Sequence, residues 1–324
     1  MKWPSITVLV TVKNSENTIG ECIKSLLKLN YTNFRVYITD AYSDDGTFEI
    51  LKKLKKRYSR KIKLDRIRGN IATAHNYMIK KTNTEFIAMT DADCVVDEDW
   101  LKNLISGFES EDIIATTGFC STPKTAKGLQ KLIGIELEDR FKHAPKFVLR
   151  GPTMNLCVRT SYAKKIKFDE RFDVAQETDW GYRLTKLGKM HYVPKAIVYH
   201  YHRSTIKSFL KQHGFRYGKA MPLLYLKHKN RIAGDHLSKL IMILQEFIFC
   251  FLCLFTLISI FYNSFINIAI VFLIFLFISY FVDILKFTKD PMNIGLLIIL
   301  YVLRNIAWTI GMIFGIFDLI FKKW

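Results

Sequence analysis

The sequence predicts an α/β layer fold with a mainly parallel sheet, followed by helices that cross a membrane. Three observations carry this. Residues 6–12 (ITVLVTV) are an unbroken apolar, β-branched run of strand length, the pattern of a parallel strand buried on both faces. Strand-like runs then alternate with helical periodicities to about residue 120, as in successive βαβ units. Past residue 237 the composition changes: 240–262 and 266–284 are each close to the ~20 apolar residues that span a bilayer, and 294–321 is a third such stretch, interrupted by Arg304 and Asn305.

After the first strand, Thr18 and Glu21 have the spacing of a capping box. They open a helix whose Ile19, Cys22, Ile23, Leu26 and Leu27 share one face. A strand over 34–40 (FRVYITD) follows, then a helix over 46–58 built on Ile50, Leu51 and Leu54. A short strand near 62–67, a helix over 71–81, a strand over 85–91, a helix over 97–107 and a strand from DIIATTGF complete the series. In such sheets ligands bind beyond the carboxyl ends of the strands. Thr11 to Asn14, Asp40 and Asp91 to Asp93 all fall there, so one rim would collect their polar groups.

The chain carries 48 Lys plus Arg against 29 Asp plus Glu, a net charge of +19. Residues 237–324 hold only six basic and four acidic side chains, so nearly all of the excess lies before them. Such charge attracts anionic headgroups and anionic substrates. No nucleic-acid-binding motif accompanies it, which argues against a nucleic-acid partner. Against this background FIAMTDADCVVDEDW, residues 86–100, gathers Asp91, Asp93, Asp97, Glu98 and Asp99. Asp91 and Asp93 sit where a strand stops and the chain can turn, so both carboxylates can face one hard divalent cation. Asp97, Glu98 and Asp99 read as first-turn acids favoured by the helix dipole.

The start of the sequence has no apolar core followed by a small-residue cleavage site, so the 236-residue head is predicted to stay in the cytoplasm, with residues 1–203 as its α/β domain. Cys22, Cys94, Cys120 and Cys157 lack zinc or disulfide spacing, and Cys250 and Cys253 read as small apolar residues of a span. Residues 204–236 form a basic amphipathic segment, with Ile206, Phe209, Leu210 and Tyr217 on one face and Lys207, Lys211, Arg216 and Lys219 near headgroups. Residues 237–324 are the membrane domain of a multi-pass protein of the cell membrane. With the head inside, the turn at Asn263 and Ser264 lies outside and the loop of Lys286 and Lys289 inside. A third full pass would carry Lys322 and Lys323 outside; the alternative is that residues 294–321 dip and return around Arg304. The Gly311-x-x-x-Gly315 spacing suits helix packing within or between chains and leaves the oligomeric state open.

Five stretches, in order, carry a family resemblance: VLVTVKNSENTIGECIKSLL, ITDAYSDDGTFEIL, RIRGNIATAHNYMIKKTNTEFIAMTDADC, GPTMNLCVRTSYAKKIKFDERFD and QETDWGYRLTKLGKMHYVPKAIVYHYH. Together they resemble the motifs of the family two inverting glycosyltransferases with the GT-A fold, over about residues 5–220. The resemblance implies that Thr11, Lys13, Asn14 and Glu16 form the opening donor loop. It also implies that Asp40 meets the base or ribose of a nucleotide and that Arg68 to Asn76 lie along it. By their own sequence Asp40 and SDDGT also read as an Asx turn and helix cap. Asp91 and Asp93 match the family's metal and diphosphate motif, implying Mg²⁺ or Mn²⁺, with His200 completing the site and His202 the neighbouring candidate.

The acceptor side departs from the family pattern. Gln176 stands where Glu is usual, and Glu177 where the catalytic Asp is usual. Glu177 keeps a carboxylate one methylene longer and is the general base the resemblance implies; the other reading is a structural acid paired with Arg183. Gln176 cannot ionise and so removes a like-charge neighbour. Asp179 reads as a cap or orienting acid of the same helix. QHGFRYG is similar to the acceptor-side Gln-x-x-Arg-aromatic motif of membrane-bound relatives, with one extra residue between Gln212 and Arg216, and reads equally as a basic anchor.

The implied activity is membrane-bound, metal-dependent, inverting transfer from a nucleoside-diphosphate sugar to a lipid-linked or glycan hydroxyl. A polyprenyl-phosphate sugar synthase would have less need of Glu177, because its acceptor is already an anion. A catalytically silent membrane scaffold with the same fold would bind the nucleotide sugar without turnover.

Overall fold

The computed structural model describes residues 3–321, apart from the side chains of Arg231 and Ile232. The chain divides into two compact units, Met1–Ala126 with Phe141–His202, and Lys127–Arg140 with Arg203–Trp324.

The first unit is built on a nine-stranded sheet. Its strands are β1 (Ile6–Val12), β2 (Phe34–Asp40), β3 (Ile62–Arg66), β4 (Phe86–Asp91), β5 (Cys94–Val96), β6 (Ile113–Ser121), β7 (Phe147–Val148), β8 (Leu156–Arg159) and β9 (Lys189–His200). The order is β3-β2-β1-β4-β8-β6-β9-β5, with β7 on β9. β1 lies between β2 and β4, both parallel to it, and its Ile6, Val8, Leu9 and Val10 are wholly buried, as its apolar run predicts. The register sets Val12 opposite Asp40 and Thr11 opposite Asp91, so the polar ends of three strands finish side by side. Beyond β4 the sheet is mixed: β8 runs antiparallel to β4 and β6, while β6 and β9 form a long parallel ladder.

That ladder is irregular where β6 passes from Gly118 to Phe119, and Gly118 is required there. A Cβ on it would lie 2.0 Å from the Ala196 carbonyl oxygen. The wholly buried Asn155 stitches the irregularity. Its amide donates to the Phe119 and Ala196 carbonyls at 2.9 Å, and its oxygen accepts from the Trp100 indole at 2.8 Å.

Two local expectations are corrected. The capping box does not form: the backbone turn begins earlier, with the Ile19 N–H donating to the Ser15 carbonyl and the Thr18 hydroxyl donating to that same oxygen. Glu21 instead accepts from the Tyr201 hydroxyl at 3.3 Å. The helix expected over 97–107 is Trp100–Ser106, because the residues before it form β5 and a turn. In that turn Asp97 accepts from the Asp99 N–H, and Asp99 accepts from Asn30 and Lys102.

In the second unit, three helices are long and apolar enough to cross a membrane: Leu240–Ser259, Phe265–Ile284 and Pro291–Ile320. The third is continuous over 30 residues, about 45 Å, so the chain does not dip and return at Arg304. Lys322 and Lys323 lie outside the described residues. Arg304 stays in the helix because its charge is met: it donates to Glu136 at 3.2 Å, and Arg140 bonds the same carboxylate. Asn305 donates to the Tyr280 hydroxyl at 2.6 Å. The stretch 127–140 thus belongs with the apolar helices, where Leu132 and Ile133 join a core with Phe249, Leu276, Tyr280 and Leu300.

The basic segment packs along the third apolar helix. A Cβ at Gly218 would lie 2.1 Å from the Trp308 carbonyl, and one at Gly311 would lie 2.1 Å from that of Phe215. The Gly311 and Gly315 spacing is therefore used within this chain. The extra residue between Gln212 and Arg216 is absorbed by a π-helical turn, Leu210–Arg216, which lets Arg216 donate to Gln212 at 2.7 Å.

Candidate active site

β4 ends at Asp91, and after a two-residue turn β5 pairs antiparallel with the end of β9, Cys94 opposite His200. This pairing brings His200 Nε2 to 3.6 Å from Asp93 Oδ1. The candidate ligand atoms of Asp93, Cys94 and His200 lie within 4.8 Å of one another. A carboxylate and an imidazole suit a hard or borderline divalent ion. Cys94 was not foreseen; its thiol is buried, and burial with the Asp93 and Asp91 charges pushes its pKa well up, which disfavours the thiolate. Asp91 stands one residue before the turn, beside Thr11 on β1. His202 faces differently: its Nε2 is 3.2 Å from the Thr122 hydroxyl, with its ring edge-on to His200 at 4.6 Å.

On the donor side, Asn14 adopts φ +50°, a left-handed conformation Asn tolerates. Its N–H donates to the Ser43 hydroxyl and its side-chain oxygen accepts from the Asp44 N–H. The Glu16 carboxylate accepts from the Gly46 N–H at 2.9 Å. The loop after β1 is thereby laced to the SDDGT turn, leaving Lys13 exposed. Asp40 is wholly buried: it accepts from the Ser43 hydroxyl and N–H, as an Asx turn requires, and from Arg66 Nε at 2.8 Å. Arg68 is exposed, its guanidinium 5.2 Å from the Tyr42 ring centre.

Asn76 is committed elsewhere. Its amide donates to the Phe168 carbonyl at 2.9 Å and to Glu170 at 2.8 Å, and its oxygen accepts from the Phe168 N–H at 2.8 Å. Asn70 and Thr73 on the same helix, Ile71–Lys81 with its cap, also bond Glu170. His75 stacks on Phe168 at 5.0 Å, and Phe168 stacks on Trp180 at 4.7 Å. One face of this helix therefore grips the segment leading into Gln176–Leu184. Nothing in the local sequence signals the grip, because its partners lie some 90 residues away.

Helix Gln176–Leu184 starts after Ala175, which holds φ +61° without being glycine, a strained position that aims the first turn. Glu177 is 9% exposed. Arg183 bonds Asp179, not Glu177, through two nitrogens at 3.0 and 2.6 Å, so Asp179 is a buried partner within the helix. Gln176 is buried with its side-chain oxygen lacking a hydrogen-bond partner among the described residues. Arg150, also unforeseen, donates to the Thr178 hydroxyl at 3.2 Å. Gln212 and Arg216 lie in the second unit.

Residues 7–172 match the family model described as Glycosyl transferase family 2. The chain is 25% identical over 240 residues to a dolichyl N-acetyl-alpha-D-glucosaminyl phosphate 3-beta-D-2,3-diacetamido-2,3-dideoxy-beta-D-glucuronosyltransferase of Methanococcus voltae, covering 68% of this chain and 74% of that protein. It is 35% identical over 115 residues to a beta-monoglucosyldiacylglycerol synthase of a Nostoc species, covering 34% of this chain and only 25% of that protein. Among solved structures, the Pyrobaculum calidifontis mannosyltransferase PcManGT, in complex with GDP-Man and Mn²⁺, superposes with TM-score 0.58 at 13% identity, covering 99% of this chain and 87% of that one. S. aureus TarS 1-349 gives 0.52 at 20% identity over 75% and 70%. At these identities the structural likeness establishes the fold alone.

Proposed function

The chain belongs to glycosyl transferase family 2, and from that premise we propose that it is a membrane-bound, metal-dependent inverting glycosyltransferase. Its donor is a nucleoside-diphosphate sugar and its acceptor a hydroxyl of a lipid-linked glycan. The observation that supports this most is the approach of Asp93 and His200 at 3.6 Å on the rim where Thr11, Asp40 and Asp91 also end.

The donor lies across that rim, with the loop Thr11 to Glu16 and Arg68 along the nucleotide. Asp40 shapes its bed through Ser43 and Arg66. A divalent cation on Asp91, Asp93 and His200 would offset the charge on the departing diphosphate. Glu177 accepts the proton of the acceptor hydroxyl. The freed oxygen attacks the anomeric carbon from the side opposite the diphosphate, the carbon–oxygen bond to the diphosphate breaks, and the configuration inverts. Glu177 suits the base because it keeps a carboxylate at the start of helix Gln176–Leu184, the position the family resemblance gives the base. The acceptor assignment draws on the Methanococcus voltae relative, named for a dolichyl-linked sugar phosphate, and on the three apolar helices. The catalytic unit faces the cytoplasm in this reading.

The test is release of nucleoside diphosphate from a panel of sugar nucleotides by the full-length protein in native lipid extract. One donor should turn over with Mg²⁺ or Mn²⁺. Chelation should abolish the release and Asp93→Ala should lower it by about 100-fold or more. Donor binding with no turnover under any condition would leave the silent scaffold instead.

A further inference from the structure

The first unit contains a second concavity, a cavity of about 420 Å³, with Phe119, Phe141, Tyr192 and Pro194 in its wall and Lys142 and Lys146 at its margin. This is the size of pocket that takes a small ligand. Phe141 and Tyr192 stand nearly parallel at 6.5 Å, and Phe119 meets Phe141 edge-on at 6.0 Å. Tyr192 is 7% exposed, yet its hydroxyl has no hydrogen-bond partner among the described residues. A buried unpaired hydroxyl is costly and calls for a ligand or water. Burial pushes the phenol's pKa up, so the group stays a neutral donor.

The polar side chains of the lining are two lysines and one tyrosine, with no carboxylate among them. Lys146 also reaches Glu109 at 3.0 Å, while Lys142 makes no ion pair among the described residues. Donors and positive charge select an anion; three rings beside them select an apolar or ring-bearing body.

The Tyr192 N–H donates to the Lys146 carbonyl at 2.8 Å, and from Lys146 the chain runs through β7 to Arg150 and Gly151. A Cβ on Gly151 would lie 2.4 Å from the Thr117 hydroxyl, and the preceding Arg150 bonds Thr178, the residue after Glu177. Lys146 in the pocket wall is thus four residues along the chain from Arg150, which contacts the helix that carries the candidate base.

We propose that this pocket binds the phosphate of an amphiphilic acceptor, held by Lys142, Lys146 and Tyr192, with the first apolar units of its chain on the aromatic wall. This rests on the lipid-linked acceptor reading above. The test measures equilibrium binding to the full-length protein in detergent, without donor or metal, using geranyl phosphate, geraniol and glucose 1-phosphate. Geranyl phosphate should bind saturably, and geraniol at least about tenfold more weakly. The double variant Lys142→Ala, Lys146→Ala should weaken geranyl phosphate about tenfold or more, and Tyr192→Phe about threefold. Both lysines are exposed and the Tyr change is conservative, so folding is spared. No binding, equal binding of geraniol, or indifference to these variants would overturn the proposal. Equal affinity for glucose 1-phosphate would overturn the amphiphile and leave a site for free phosphates. Asp93→Ala should bind geranyl phosphate normally whatever becomes of transfer, so failure of the pocket and failure of the transferase reading are distinguishable.

Discussion

Asn76 separates two kinds of residue near the donor rim. Family resemblance alone sets it along the nucleotide, but its three amide contacts go to Phe168 and Glu170. We therefore expect Asn76→Ala to act through the segment that leads to Glu177. It should lower kcat about tenfold while leaving donor Kd within about twofold, read by single-turnover kinetics beside donor titration. Weakened donor binding with unchanged kcat would return Asn76 to the nucleotide. That His200 comes near Asp93 was implied only by the family resemblance, whereas the strand end at Asp91 was legible from its apolar run. Asn76 was not, because a side-chain amide in a helix says nothing about a backbone 92 positions away. Asp40 lies between: its Asx turn was readable, but its pairing with Arg66 needed the β2–β3 register.

At the scale of elements, helices Ile71–Lys81 and Gln176–Leu184 are joined by the His75, Phe168 and Trp180 stack. His75 is wholly buried, neither ring nitrogen has a hydrogen-bond partner among the described residues, and burial pushes its pKa from 6.5 to about 4. Below pH 6.5 the unfolded chain takes up a proton that the folded chain refuses. Stability should thus fall as pH drops toward 4, by roughly 2–3 kcal/mol at pH 4.5 from this residue. Denaturant unfolding followed by tryptophan fluorescence at pH 7 and 4.5 should show that loss in the wild type and a smaller one in His75→Leu. Equal losses would acquit His75. The first half of the sheet was readable because long apolar runs set β1, β2 and β4. β5 was not, since three residues carry no periodicity, and its identity comes from pairing with β9. The π-helical turn was invisible for a similar reason, although the extra residue before Arg216 was its trace.

At the scale of the molecule, composition separated a basic α/β head from apolar helices. It could not assign residues 127–140, most of which lie in the helix Gly128–Lys142 of mixed composition and which join the second unit through Leu132, Ile133 and the Glu136 contact with Arg304. The proposed activity of the whole chain is transfer to a hydroxyl acceptor with Glu177 as base. It is tested most directly by single-turnover transfer from the matched donor to native lipid acceptor, comparing wild type with Glu177→Gln. Glu177→Gln should bind donor normally and lose transfer by about 100- to 10,000-fold. Transfer retained in Glu177→Gln would contradict it and point to an acceptor that arrives already as an anion.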